Sequence, residues 1–109
     1  MDKKPCPIKI NLGVHEFQIV FNKLLIDAQS YGRTSHSSEY IQLNPTNTDA
    51  QNNVSFWHEI IHTISAQQLG SSLPEAETCC LSEGIANVLS QIGITLDFSG
   101  LSEGGIQNG

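Results

Sequence analysis

Basic residues are scarce in this chain. Five lysines and arginines stand against eleven aspartates and glutamates in 109 residues, a formal net charge of −6. Such a field repels a phosphate backbone, so nucleic acid is not an expected partner. Long apolar runs are lacking too. None approaches the ~20 residues of a membrane span, so a membrane is not an expected partner either. The opening MDKKPCPIKI has basic residues but no apolar h-region behind them, and does not read as a secretory leader. Cysteine is sparse and odd in number: Cys6, Cys79 and Cys80. Helical neighbours point apart, which argues against a Cys79–Cys80 bridge. A disulfide from Cys6 to either stays open, and a reduced, cytoplasmic protein is the simplest expectation. There is no long repeat; Leu81-Ser82-Glu83-Gly84 is merely echoed in Leu101-Ser102-Glu103-Gly104. With 39% hydrophobic and 15% charged residues, the composition is that of one modest globular core rather than of a disordered chain.

What is present is concentrated in Val54–Gly70, VSFWHEIIHTISAQQLG. It contains His58-Glu59-Ile60-Ile61-His62, an H-E-x-x-H pattern. The apolar Ile60, Ile61 and Ile64 and the terminal Gly70 place it on one helix. Histidines four apart share a helical face, about 6 Å apart at 1.5 Å per residue. Two imidazoles so placed suit Zn²⁺, which takes nitrogen ligands at about 2.0–2.1 Å. Glu59 lies roughly 100° around from His58, where a carboxylate reaches a metal-bound water without ligating the metal. Five residues thus offer two ligands and a general base.

Upstream, Ile8–Leu12 alternates apolar and polar and reads as a strand, with Gly13 as a turn. HEFQIVFNKLLI at 15–26 fits both periods: Phe17, Phe21, Leu24 and Ala28 are spaced for a helix, Phe17, Ile19 and Phe21 for a strand. A strand over about Val14–Asn22, hairpinned to Ile8–Leu12, is the preferred reading. Tyr31–His36 and Glu39–Leu43 form a second expected hairpin, with Ser37 and Ser38 at its turn and Asn44-Pro45 at its end. It is polar on both sides, as an edge strand is. In the connection 47–53, Asp49 or Asn52 is the expected helix cap. A second helix starts near Ser72 and Pro74, with Glu75 and Glu77 at its positive end, and stops at Gly93. Leu81, Ile85, Val88 and Ile92 are its expected core stripe. Thr95–Gly109 is rich in Gly, Ser and Asn and is expected to fray. The fold class is therefore α+β: a small N-terminal sheet of about four short strands, then two packed helices. The domain spans 1–96, with 97–109 as a flexible tail.

A catalytic zinc takes three protein ligands and keeps one open position. The third must come from the second helix, where Glu75, Glu77, Glu83, Cys79 and Cys80 are candidates. Twenty residues separate His62 from Glu83, enough to finish one helix and climb the next. Glu83 is the acid set deepest in an apolar-patterned helix, where an unpaired carboxylate is costly. Glu75 and Glu77, in the first turn, suit solvent and the helix dipole. Cys79 and Cys80 share Glu83's flank and read as small buried residues; a thiolate ligand there would mark a structural site.

Leu81-Ser82-Glu83-Gly84-Ile85-Ala86 resembles the L-x-E-G-x-A element that follows H-E-x-x-H in gluzincin metallopeptidases. The resemblance covers the two helices, about a third of the chain. More weakly, YGRTSH and EYIQLNP resemble the edge-strand hairpin of minigluzincins and of small phage-encoded HExxH proteins. The resemblance implies a minimal zincin-like fold and a peptidase of the cytoplasm, in a bacterial or phage-infected cell. It implies Zn²⁺ held by His58, His62 and Glu83, Glu59 as general base, and a peptide or protein substrate. An oxyanion needs a donor, and Tyr31, Tyr40 and His36 on the edge hairpin are the candidates. That hairpin also suits an extended peptide added as a strand. Trp57 is expected to pack the helix on the sheet or to wall a pocket, Asn87 to orient a ligand, and His15 to be structural or exposed. Two alternatives stay open: a metal-stabilised binding module without activity, and a regulator-cleaving protease resembling the ImmA/IrrE group.

Overall fold

A computed structural model describes residues 3–70 and 73–103. The chain is a small α+β domain with a mixed sheet and helices. Its elements are β1 (Lys3–Pro5), β2 (Lys9–Leu12), β3 (His15–Phe21), α1 (Leu24–Asp27), β4 (Gly32–Ser35), β5 (Tyr40–Leu43), α2 (Asp49–Leu69), α3 (Glu75–Gln91) and β6 (Thr95–Asp97).

Strand alternation wins over the helical reading at 15–21. Phe17 and Ile19 point into the core at 1% exposure each, alternating with exposed Glu16 and Gln18. β2 and β3 form the expected antiparallel hairpin, with Leu12 opposite His15 across Gly13 and Val14. The main sheet has the order β2-β3-β5-β4. β5 inserts between β3 and β4, running parallel to β3 with Ile19 opposite Ile41 and Phe21 opposite Leu43. The polar β4 is thereby left as an edge, paired only with β5. The short α1 supplies the crossover; its Leu25 is fully buried.

α2 lies across the Phe17, Ile19, Ile41 and Leu43 face and contributes Phe56 and Ile60 to it. It starts earlier than expected, at Asp49, because Thr48 is the cap. The Thr48 hydroxyl accepts from the Gln51 backbone, and the Gln51 side chain accepts from the Thr48 backbone. Gly70 ends the helix in the left-handed conformation (φ 80°), which costs a glycine little. The expected cap Ser72 lies outside the described residues, and Pro74 occupies the N-cap position of α3.

Three expectations need correcting. The stripe Leu81, Ile85, Val88 and Ile92 is exposed. α3 instead packs on α2 through small side chains, with Thr78 and Ser82 at 0% exposure. The stretch from Thr95 does not fray at its start: β6 pairs in parallel with β1, and Phe98 and Leu101 are buried in the core beside Cys6. Asn53 accepts from the Leu96 backbone at 3.0 Å, and Phe21 donates its backbone N–H to Ser102 at 3.0 Å. The end of the expected tail, 104–109, lies outside the described residues. Finally, Cys79 and Cys80 are exposed rather than buried; all three cysteines are free, in line with the reduced state expected. Burial pushes the Cys6 thiol up to about 12, so it is a small apolar core residue.

Phe98→Ala is expected to destabilise the domain by about 3–5 kcal/mol in urea unfolding, the cost of emptying a core aromatic site. A loose tail would give a change within about 0.5 kcal/mol, as at an ordinary surface position.

Candidate metal centre

The helical spacing of His58 and His62 brings their rings together in an edge-on pair with centroids 4.7 Å apart. Their Nε2 atoms are 3.0 Å apart. A carboxylate from α3 closes the group: Glu75 Oε2 lies 2.8 Å from His58 Nε2, and Glu75 Oε1 lies 2.9 Å from His62 Nε2. Both imidazole side chains are largely covered, while the Glu75 carboxylate reaches them from the solvent side.

The third acid was expected to be Glu83, and Glu75 was read as a dipole partner. The structure places them otherwise. Leu73 donates its backbone N–H to Ser65 Oγ at 3.2 Å. Leu73, two residues before α3, thus lies beside the last turns of α2. The first turn of α3 therefore starts level with His62, and its acid, not one two turns later, meets the histidines. Glu83 lines the same cavity, but no hydrogen bond or ion pair joins it to either histidine among the described residues. The serine at position 65 was the missed sign, and without the path of the loop it says nothing about register.

Cys79 lies one turn beyond Glu75. Its Sγ is 3.8 Å from His58 Nδ1, and His58, Glu75 and Cys79 offer donor atoms within 4.8 Å of one another. One imidazole cannot give both ring nitrogens to a single small ion. With Nε2 turned to His62 and Glu75, the sulfur faces the other nitrogen and helps set the ring's tautomer. Cys80 and Glu77 are exposed and do not line the cavity.

Glu59 points about 100° around α2 from His58, toward β4, and lines the same cavity. It is 7% exposed, and its Oε1 accepts from the Thr34 hydroxyl at 2.7 Å. Burial raises its pKa above the ordinary carboxylate range; the Thr34 hydroxyl and the two imidazoles pull it partly back, and Glu75 adds to the rise. β4 is built around this side chain. A Cβ on Gly32 would sit in ordinary contact with Glu59, 3.4 Å from its Cγ, and more tightly against the Gln42 carbonyl at 3.2 Å, so the strand backbone lies directly against the Glu59 side chain.

These groups open onto a cavity of about 850 Å³ bounded by β4, α2 and α3. Tyr31 and His36 line it, as expected for oxyanion candidates; Tyr40 does not. Trp57 packs edge-on against Phe56 at the rim of the core rather than walling the cavity. Asn87 is exposed and outside the lining, and His15 pairs with Glu39 at 2.6 Å on the surface. Arg33, overlooked in the sequence, borders the cavity and is the sole Lys or Arg there among the described residues.

The donor set fits a divalent cation. Two imidazole nitrogens and a carboxylate converge within 3.0 Å of one another. A tetrahedral ion with bonds of about 2.0–2.1 Å needs its ligand atoms little farther apart than this. No family model matches the chain, and no curated protein or solved structure shows significant similarity to it. Among the described residues no helix is long and apolar enough to cross a membrane.

Thr34→Val keeps shape and strand propensity but removes the hydroxyl that donates to Glu59. It is expected to cost about 1–3 kcal/mol at neutral pH, the penalty for stripping a buried carboxylate of its donor. Thr34→Ser should restore most of it. Equal urea midpoints for Thr34→Val and wild type would exclude this hydrogen bond as a support of Glu59.

Proposed function

We propose that the chain is a zinc-dependent, peptidase-like hydrolase with a minimal zincin-like fold, acting on a peptide or protein substrate. One observation carries this reading: the Glu75 carboxylate spans the His58 and His62 Nε2 atoms at 2.8 and 2.9 Å, at the mouth of a cavity that also holds Glu59. His58, His62 and Glu75 would hold the metal, and N/O donors of this kind suit zinc. A bound divalent cation supplies Lewis acidity, polarising a scissile carbonyl and making water acidic.

The remaining roles belong to the chain. Glu59 accepts the proton of the attacking water and returns it to the departing amine as the C–N bond breaks. Its burial favours this, because a carboxylate with a raised proton affinity is the better base. The Thr34 hydroxyl engages Oε1 and fixes the carboxylate's orientation. β4 offers a place for the substrate. Asn44 donates to the Tyr31 carbonyl at 3.1 Å, so Tyr31–Asn44 is a hydrogen-bonded pair of the ladder. By alternation the backbone groups of Gly32 and Thr34 point off the free edge. An extended peptide can add there as a further strand. Tyr31 and His36 are the side-chain donors at hand for an oxyanion.

Three variants separate metal from chemistry. Glu59→Gln should keep the metal and lose turnover about 100-fold or more on an unfolded protein substrate. Wild-type turnover in that variant would remove Glu59 from the role. Metal content after dialysis should fall in Glu75→Ala and stay at the wild-type level in Glu83→Ala. The reverse would hand the third position to Glu83, and equal metal in all three would place it on neither.

A further inference from the structure

The apolar stripe of α3 is left without a partner among the described residues. Leu81, Ile85, Val88 and Ile92 are 48%, 37%, 59% and 65% exposed. Their spacing of four, three and four residues keeps them in one row on the helix. At 100° per residue the row lies roughly 70° around from Thr78 and Ser82, the side that packs on α2. We propose that this row is a self-association surface, and that α3 pairs antiparallel with α3 of a second copy about a two-fold axis.

Three observations select this occupant. The row alternates as a helix-pair seam does, with branched residues that interdigitate with a like helix. Its four branched side chains are each more than a third exposed, and together they supply a contiguous apolar centre for an interface that buries about 800 Å² per partner. Charge settles identity and direction. The chain is acidic overall, yet residues 84–96 contain no charged side chain. The acids of α3, Glu75, Glu77 and Glu83, all fall at or before its midpoint. Parallel pairing would set these acids against their own copies. Antiparallel pairing sets them against the uncharged half and opposes the helix dipoles. In that arrangement Leu81 meets Ile92 of the second copy, and Ile85 meets Val88.

Gly84 agrees with this. A mid-helix glycine costs about 1 kcal/mol relative to alanine. Among the described residues nothing outside its own helical backbone lies within 4 Å of where its Cβ would be, so no packing contact there requires a glycine. Beside the seam, it lets a second helix come close. Glu75, Cys79, Ser82 and Glu83 face the cavity along a different row, so pairing leaves the cavity open.

Sedimentation equilibrium of the full chain tests this without reference to any activity. Wild type should be dimeric in the micromolar range. Val88→Lys, at an exposed position, should keep its circular dichroism spectrum and weaken the dimer about 30-fold or more, as loss of a central anchor does. Val14→Lys, at a hairpin tip 95% exposed, should leave the dimer intact. A wild type that stays monomeric, or a dimer indifferent to Val88→Lys, overturns the proposal.

Discussion

The structure turns on one contact: a carboxylate from the first turn of α3 bridging two imidazoles one helical turn apart on α2. Each partner is ordinary alone. Together they bring three electron-pair donors to one point, which is unfavourable unless protons or a cation share the space. This explains why α3 can pack through side chains as small as Thr78 and Ser82. Its position is set by polar groups at its start and by a short connection, more than by a large apolar face.

The second constraint is the burial of Glu59. A carboxylate at 7% exposure carries a desolvation cost, and the fold offsets it with the Thr34 hydroxyl and the nearby imidazoles. β4 is shaped to permit this, with glycine where the side chain passes and threonine where it needs a donor. One short polar strand therefore does two things. It completes the surroundings of the proposed base, and its outer edge borders the cavity, where the Gly32 carbonyl accepts from the Ser30 hydroxyl at 2.9 Å. Its polar composition, an oddity in a small sheet, is what an edge with a buried acid behind it requires.

Local order along the chain is legible wherever a period meets a stop. Phe17, Ile19 and Phe21 fall in strand alternation, Gly13 turns the hairpin, and His58 and His62 share a face that ends at Gly70. The misreadings have a common origin. An apolar row at Leu81, Ile85, Val88 and Ile92 says that a face is apolar, not that the same chain covers it. A Gly- and Ser-rich stretch at 95–103 hides two anchors, Phe98 and Leu101, whose partners are at the other end of the sequence.

The amino-acid order alone determined the local chemistry. It set which residues share a helical face, where helices end, and which strand is too polar to be central, since these follow from backbone periodicity and near neighbours. Only the tertiary structure decided which acid of α3 meets the histidines, because that depends on how far along α2 the helix α3 begins, and a two-turn difference exchanges Glu75 for Glu83. It alone placed β5 inside the sheet and turned the apolar row of α3 outward, because strand order and helix rotation are set by contacts between residues far apart in the chain.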